Sequence, residues 1–324
     1  MSTHESADAA ADRSTGLLVF GILSILQGLF AALMVPFTIL TAVALKKMAV
    51  DDPAAPSGAM MLPSALVYTG VAVAQIWLGV GAIRARRWAR ALLLVGSSII
   101  LVSGLLGLVF MAVFMPRFYA QMPGVAELPA AMVTVMQVVT FGTMLMLYVA
   151  LPGAYVWFFA SPHTRATCER RDPRERWTDR CPLPVLALSL MAAGGAISLP
   201  ALAAYRWALP CFGAIVSGGA GAAFALVLLL ALAGIAWGAY RLRPAAWWAA
   251  LALLLGWSVS TGLTFMRRPL VDYYEAMGVP TEQLAILAQL PGGWMVGATG
   301  LWVVAGLGYL LWVRRYFAPP TEVT

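Results

Sequence analysis

Residues 81–86 read GAIRAR, and residues 238–243 read GAYRLR. One short basic phrase, Gly-Ala-x-Arg-x-Arg, thus stands twice, 157 residues apart, and each time it closes a long apolar run. Runs of about 20 apolar residues are long enough to cross the hydrocarbon core of a bilayer as helices. Outward from the two phrases, eight such runs lie at about 17–45, 60–83, 89–114, 131–160, 183–205, 213–240, 246–266 and 293–316, none with an acidic residue in its middle. Hydrophobic residues make up 61% of the chain and charged ones 11%, whereas about a quarter of a soluble domain is charged.

Continuous apolar spans mean helices, because a helix in lipid satisfies its own backbone hydrogen bonds. The ten-residue alternating segments of a membrane barrel are absent from the sequence. The expected class is therefore an all-α, polytopic membrane protein with eight transmembrane helices. The polar, acidic start, MSTHESADAAADRST, lacks the basic region and short apolar core of a cleaved signal peptide. The first span is expected to be a retained helix.

Other matches follow the opening phrase in the same order. Gly96-x-Ser98 recurs as Gly256-x-Ser258, Ser103-Gly104-Leu105 as Thr261-Gly262-Leu263, and Phe110-Met111 as Phe265-Met266. Gly124-Val125 recurs as Gly278-Val279, and Phe159-Ala160-Ser161-Pro162 as Phe317-Ala318-Pro319-Pro320. The first spans agree less well, Pro36 pairing with Pro200 only if the second half has a shorter first loop. The expected organisation is a polar tail (1–16), a four-helix repeat (17–160), a linker (161–182), a second four-helix repeat (183–317) and a tail (318–324). Four spans return the chain to its starting side, so the repeats are expected to be parallel, related by a twofold axis along the membrane normal. Pro162, Pro173, Pro182 and Pro184 argue against one continuous linker helix.

Arginine and lysine placement sets the orientation. Fifteen of the 21 basic residues fall on the side of the N-terminus, the two repeated turns, the central linker and the C-terminus. That side is expected to be cytoplasmic, in a plasma (inner) membrane. The pI of 9.6 then reflects topogenic loops, and no nucleic-acid partner is expected. The expected partners are membrane lipids, with anionic headgroups on the cytoplasmic side; the sequence names no protein partner.

Candidate chemistry is sparse. Arg84, Arg86, Arg87, Arg90, Arg241 and Arg243 have the guanidinium forks that hold lipid phosphates, but positive-inside anchoring beside Trp88, Trp247 and Trp248 is the preferred reading of them. A small-polar stripe, Ser97, Ser98 and Ser103 in the third span and Ser258, Ser260, Thr261 and Thr264 in the seventh, suits a polar path between the repeats. It also suits plain helix packing, in which such hydroxyls contribute about 0.6 kcal/mol each. Gly234-x-x-x-Gly238 and the glycines after Ser217 carry the same packing signal.

On the opposite side lie the loop between the third and fourth spans, with Tyr119 and Glu127, and the loop between the seventh and eighth, where Asp272, Tyr273, Tyr274 and Glu275 stand near Arg267 and Arg268 in a polar cluster suited to a headgroup, a sugar or a cation, or to an amphipathic lid. The second of these loops is expected to hold two short helices, the latter starting at Pro280 and Thr281.

His163, Cys168 and Cys181 match no zinc spacing and lack a fourth ligand, so solvated loop residues, no metal and no cofactor are expected. Both histidines, His4 and His163, lie in polar segments, which leaves a Ser-His triad without a base. No catalytic residue is assigned and no enzyme is expected. The first functional expectation is a passive transporter or lipid-handling protein with a small polar path between its repeats. The alternative is a structural or interaction protein, and the third is an outward-facing enzyme using Asp272 and Glu275.

Overall fold

Leu26, Phe30, Leu33, Phe37 and Leu40 follow one another at helical spacing, and each leaves more than half its surface uncovered. A helix this apolar on its outer face needs acyl chains as its solvent. It is the first element, α1 (Ser14–Asp51), of a computed structural model that describes residues 12–51, 61–121, 128–279, 284 and 293–317. There follow α2 (Leu62–Ile83), α3 (Arg87–Gln121) and α4 (Ala130–Ala160). After the linker come α6 (Leu183–Ser198), α7 (Gly218–Tyr240), α8 (Pro244–Arg267) and α10 (Gly293–Val313). Among the described residues, seven helices are long and apolar enough to cross a membrane, from Ser14–Lys47 to Pro244–Arg267. The 21-residue α10 occupies the place of the eighth expected span.

Two departures come from local chemistry. The sixth run was expected to begin at 213, yet helix α7 begins at Gly218. Residues before it form an antiparallel hairpin, β1 (Leu209–Cys211) with β2 (Ala214–Val216). Its two-residue loop, Phe212-Gly213, has positive φ at both positions, the geometry that matches strand twist. Helix α4 is interrupted by a π turn at Met146–Ala150. Pro152 has no N–H to give to the carbonyl of Tyr148, four residues back. Gly104 of α3 packs against that same Tyr148 oxygen, leaving no room for a Cβ.

The chain divides into two compact units. The first comprises Met1–Thr38, Ser64–Leu105 and Met144–Leu183, and the second Ile39–Pro63, Leu106–Thr143 and Pro184–Thr324. In the first, α1 and α2 approach through Gly21, Gly28 and Gly79, whose backbones touch the facing helix. Its core gathers Leu17, Ala82, Leu93, Tyr155, Phe158 and Phe159. In the second, α8 packs on α7 and α10, around Val185, Ile235, Trp247, Leu310 and Val313.

The linker folds. Helix α5 (Pro162–Arg171) and a 3-10 turn at Trp177–Asp179 pack against the first unit. Cys168 and Cys181 are buried there, which corrects the expectation of solvated loop thiols. Cys168 joins the core beside Phe159 and Leu17, and burial pushes its thiol up to about 11.

Candidate functional site

The two repeated phrases fold into the same turn. After α2, Ala85 N–H donates to Ala82 O (2.8 Å) and Arg86 N–H to Gly81 O (2.9 Å). After α7, Leu242 N–H donates to Ala239 O (2.8 Å) and Arg243 N–H to Gly238 O (2.9 Å). Ala85 and Leu242 both take the left-handed conformation, with φ of 51° and 54°. This is the Schellman closure of a helix. The glycine of each phrase sits four positions earlier, where a Cβ on Gly81 would meet Ala89 Cβ at 2.6 Å and one on Gly238 would meet Ala246 Cβ at 2.8 Å. Glycine is thus required by the next helix starting against it.

The arginines of the two turns have different surroundings. In the first unit the linker supplies carboxylates. Asp172, 2% exposed, lies 3.6 Å from Arg86 Nη1 and accepts from Arg176 Nη2 at 2.7 Å and from the Arg87 backbone N–H at 3.4 Å. Arg87 also reaches Asp179 (3.3 Å) and Glu169 (3.5 Å). Arg90 donates to the carbonyl of Phe159 at the end of α4 (3.1 Å). Arg176, then the Arg87 backbone and Arg86, hold the Asp172 carboxyl below the usual aspartate value. The start of α1 joins the same end, where Arg13 N–H donates to Thr167 Oγ1 (3.3 Å) and Arg171 lies 3.7 Å from Asp12.

At the second turn, Arg241 stacks on Trp237 at 4.9 Å. Arg314, following α10, stacks on Trp247 at 5.3 Å, and Arg315 on Trp312. Among the described residues none of Arg241, Arg243, Arg314 and Arg315 has a carboxylate partner. The first turn of α8 has no side-chain cap, so its backbone N–H groups add to the positive field.

A third feature lies among the helices of the first unit. A cavity of about 100 Å³ is lined by Gln27 of α1, Gln75 of α2, Ser97 of α3 and Tyr155 of α4, with apolar side chains including Leu147 of the π turn. Tyr155 Oη lies 3.1 Å from Ser24 Oγ, 3.2 Å from Gln27 Oε1 and 3.3 Å from Phe20 O. Its one proton serves one of these three oxygens, and the Ser24–Tyr155 bond can run in either direction. Gln75 Oε1 is buried with no partner. Sequence reading passed over Gln27, Gln75 and Tyr155. The available signal was an amide in the middle of an apolar span, which averaged hydropathy hides.

The expected hydroxyl stripe is divided among separate local roles. Ser97 lines the cavity. Ser98 donates to Leu94 O (2.8 Å) and Ser258 to Leu254 O (2.6 Å), each four residues back on its own helix. Ser260 donates to Pro210 O (3.1 Å) and accepts from Phe212 N–H (3.0 Å). Thr264 donates to Ser260 O (2.8 Å) and accepts from Gly213 N–H (3.0 Å). These two residues therefore dock the β1–β2 hairpin. Ser103 is partly exposed, and Thr261 is buried with its hydroxyl unpartnered. Gly234 faces open space, so of the expected glycine pair only Gly238 packs closely.

In the polar cluster at the other end of the second unit, Asp272 and Glu275 share the short helix α9 (Leu270–Ala276). Asp272 lies 3.7 Å from Arg268, Glu275 is exposed, and Tyr273 turns inward to Ala208 O (3.4 Å). Tyr274 meets the Tyr273 ring edge-on. Glu127, the Tyr119 side chain and the helix expected from Pro280 and Thr281 lie outside the described residues. Among the described residues no group of three or more His, Cys, Asp or Glu side chains could hold a metal ion. No known protein family, curated protein or solved structure matches the chain.

Proposed function

We propose that the chain is a non-enzymatic protein of the inner (plasma) membrane with eight spans in two parallel four-span repeats, both termini cytoplasmic, and that its second unit binds anionic lipid headgroups at the cytoplasmic face. The contrast between the two turns carries this reading. The same backbone presents arginines twice; in one copy Arg86 and the adjacent Arg87 are paired with Asp172, Glu169 and Asp179, Arg84 having no carboxylate partner among the described residues, while in the other neither Arg241 nor Arg243 is paired. A phosphate is the natural counterpart of the unpaired set, since guanidinium forks match its geometry and an uncapped helix start favours negative charge. The identity of the two turns, down to the glycine–alanine contact, supports the repeat. In the first unit the start of α1, the α2–α3 turn and the linker share one end. In the second, Tyr309 donates to Pro184 O (2.6 Å) and Trp247 to Leu310 O (2.7 Å), which brings the start of α6, the α7–α8 turn and the end of α10 together. Both ends carry the arginines that the positive-inside rule assigns to the cytoplasm.

Passive transport along the hydroxyl stripe is less well supported, because Ser98, Ser258, Ser260 and Thr264 have their protons committed to backbone carbonyls. The test is lipid retention, measured by native mass spectrometry of the whole chain released from membranes containing cardiolipin and phosphatidylglycerol. Arg241→Gln with Arg243→Gln is expected to cut bound anionic lipid at least threefold, and Arg86→Gln to leave it unchanged. Equal loss in both variants, or none in the first, refutes the assignment.

A further inference from the structure

We infer that the cavity of the first unit is a binding site for a small uncharged molecule bearing a hydroxyl or primary amide. The inference is independent of the lipid reading and rests on a different part of the molecule. Gln27, Gln75, Ser97 and Tyr155 converge from four helices on one space of about 100 Å³. Three of these helices, α1, α2 and α3, are within the seven candidate spans, as is α4.

The polar groups exceed what packing uses. Tyr155 is within hydrogen-bond distance of Ser24, Gln27 and the Phe20 carbonyl, so it has partners within the fold. The buried end of the Gln75 amide has no partner, and such groups in folded proteins are almost always bonded to something. A ligand group with both a donor and an acceptor satisfies that amide in either orientation. Another part of the cavity wall is the π turn of α4, through Leu147, and such turns recur at functional sites.

The site is neutral throughout its lining, so it offers nothing to balance an ion. Its size points to a molecule of about four to six heavy atoms, since a cavity of about 150 Å³ takes a benzene. It lies deep. Gln75 is eight residues before the end of α2, about 12 Å from the arginine turn, and Ser97 is about 15 Å from the start of α3. Both depths fall near the middle of a hydrocarbon core about 30 Å thick.

The repeat offsets sharpen the point. Gln75 corresponds to Leu232, 157 residues on, and Tyr155 to Val313, 158 residues on. Both counterparts are apolar and pack in the core of the second unit. These positions therefore pack well without polar atoms, and the first unit departs from that solution at both.

The experiment uses the whole chain in phosphatidylcholine nanodiscs, with glycerol and acetamide as probes observed by saturation-transfer NMR against empty nanodiscs. At least one probe is expected to give a signal that falls fivefold or more in Gln75→Leu and in Ser97→Ala, and is unchanged in Ser258→Ala. The Ser97→Ala variant, which removes only the hydroxyl oxygen, keeps the test decisive if Gln75→Leu accumulates poorly. No signal above empty nanodiscs from either probe would mean a cavity holding only water and would overturn the inference. So would a signal that survives both pocket substitutions.

Discussion

Asp172 is the residue on which the first unit's charged end depends. It is almost fully buried and accepts from Arg176 and the Arg87 backbone, with Arg86 alongside. Asp172→Ala is expected to cost about 1.5–3 kcal/mol, the range for hydrogen bonds to a charged group, because Arg86 and Arg176 are exposed enough to rehydrate. Its pKa is depressed in the fold, so its contribution is complete above the ordinary value of 3.8 and is lost as pH falls through the lower folded value. Thermal unfolding followed downward from pH 6 should therefore show an acid decline that is shallower in Asp172→Asn. An identical decline in both proteins would remove Asp172 as its cause. None of this was legible at position 172, where the sequence shows one aspartate in a stretch of interleaved charges. The partner Arg87 is 85 residues away, and only the fold brings them together.

At the scale of elements, close helix approach depends on particular glycines. Gly79 faces the backbone of Gly21, and Gly104 faces the Tyr148 carbonyl, four residues before Pro152. Gly79→Ala and Gly104→Ala should each destabilise the protein by about 1–3 kcal/mol through overpacking. Gly234→Ala, with open space around it, should be neutral or stabilising by up to about 1 kcal/mol through helix propensity. Denaturation midpoints of the three variants check this, and a cost at Gly234 equal to that at Gly104 would contradict it. The spacing Gly234-x-x-x-Gly238 looked like a packing motif, but spacing does not say which face meets a neighbour. The β1–β2 hairpin escaped notice for a related reason. Its turn is Phe-Gly, without the Asn-Gly or Asp-Gly signature, and its strands are three residues long inside an apolar run.

For the whole molecule, the proposed orientation predicts a labelling pattern for the three cysteines. Cys211, partly exposed in β1, should react with an impermeant maleimide added to intact cells. Cys168 and Cys181 should resist it there and stay slow in inside-out vesicles, being buried, with the Cys168 thiol raised to about 11 and so rarely ionised at neutral pH. Rapid labelling of Cys168 from outside intact cells would invert the topology.

The sequence by itself determined the class of structure and the repeated turn. Span-forming tendency adds up residue by residue along the chain, and the Gly-Ala-x-Arg-x-Arg turn is closed by hydrogen bonds within six residues. The tertiary structure decided which arginines are neutralised and which are free, which hydroxyls are consumed by a hairpin, and where an amide is left without a partner. Those outcomes depend on groups 50 to 131 residues apart in the chain, and the energy of an ion pair or a buried hydrogen bond exists only once folding has set that distance.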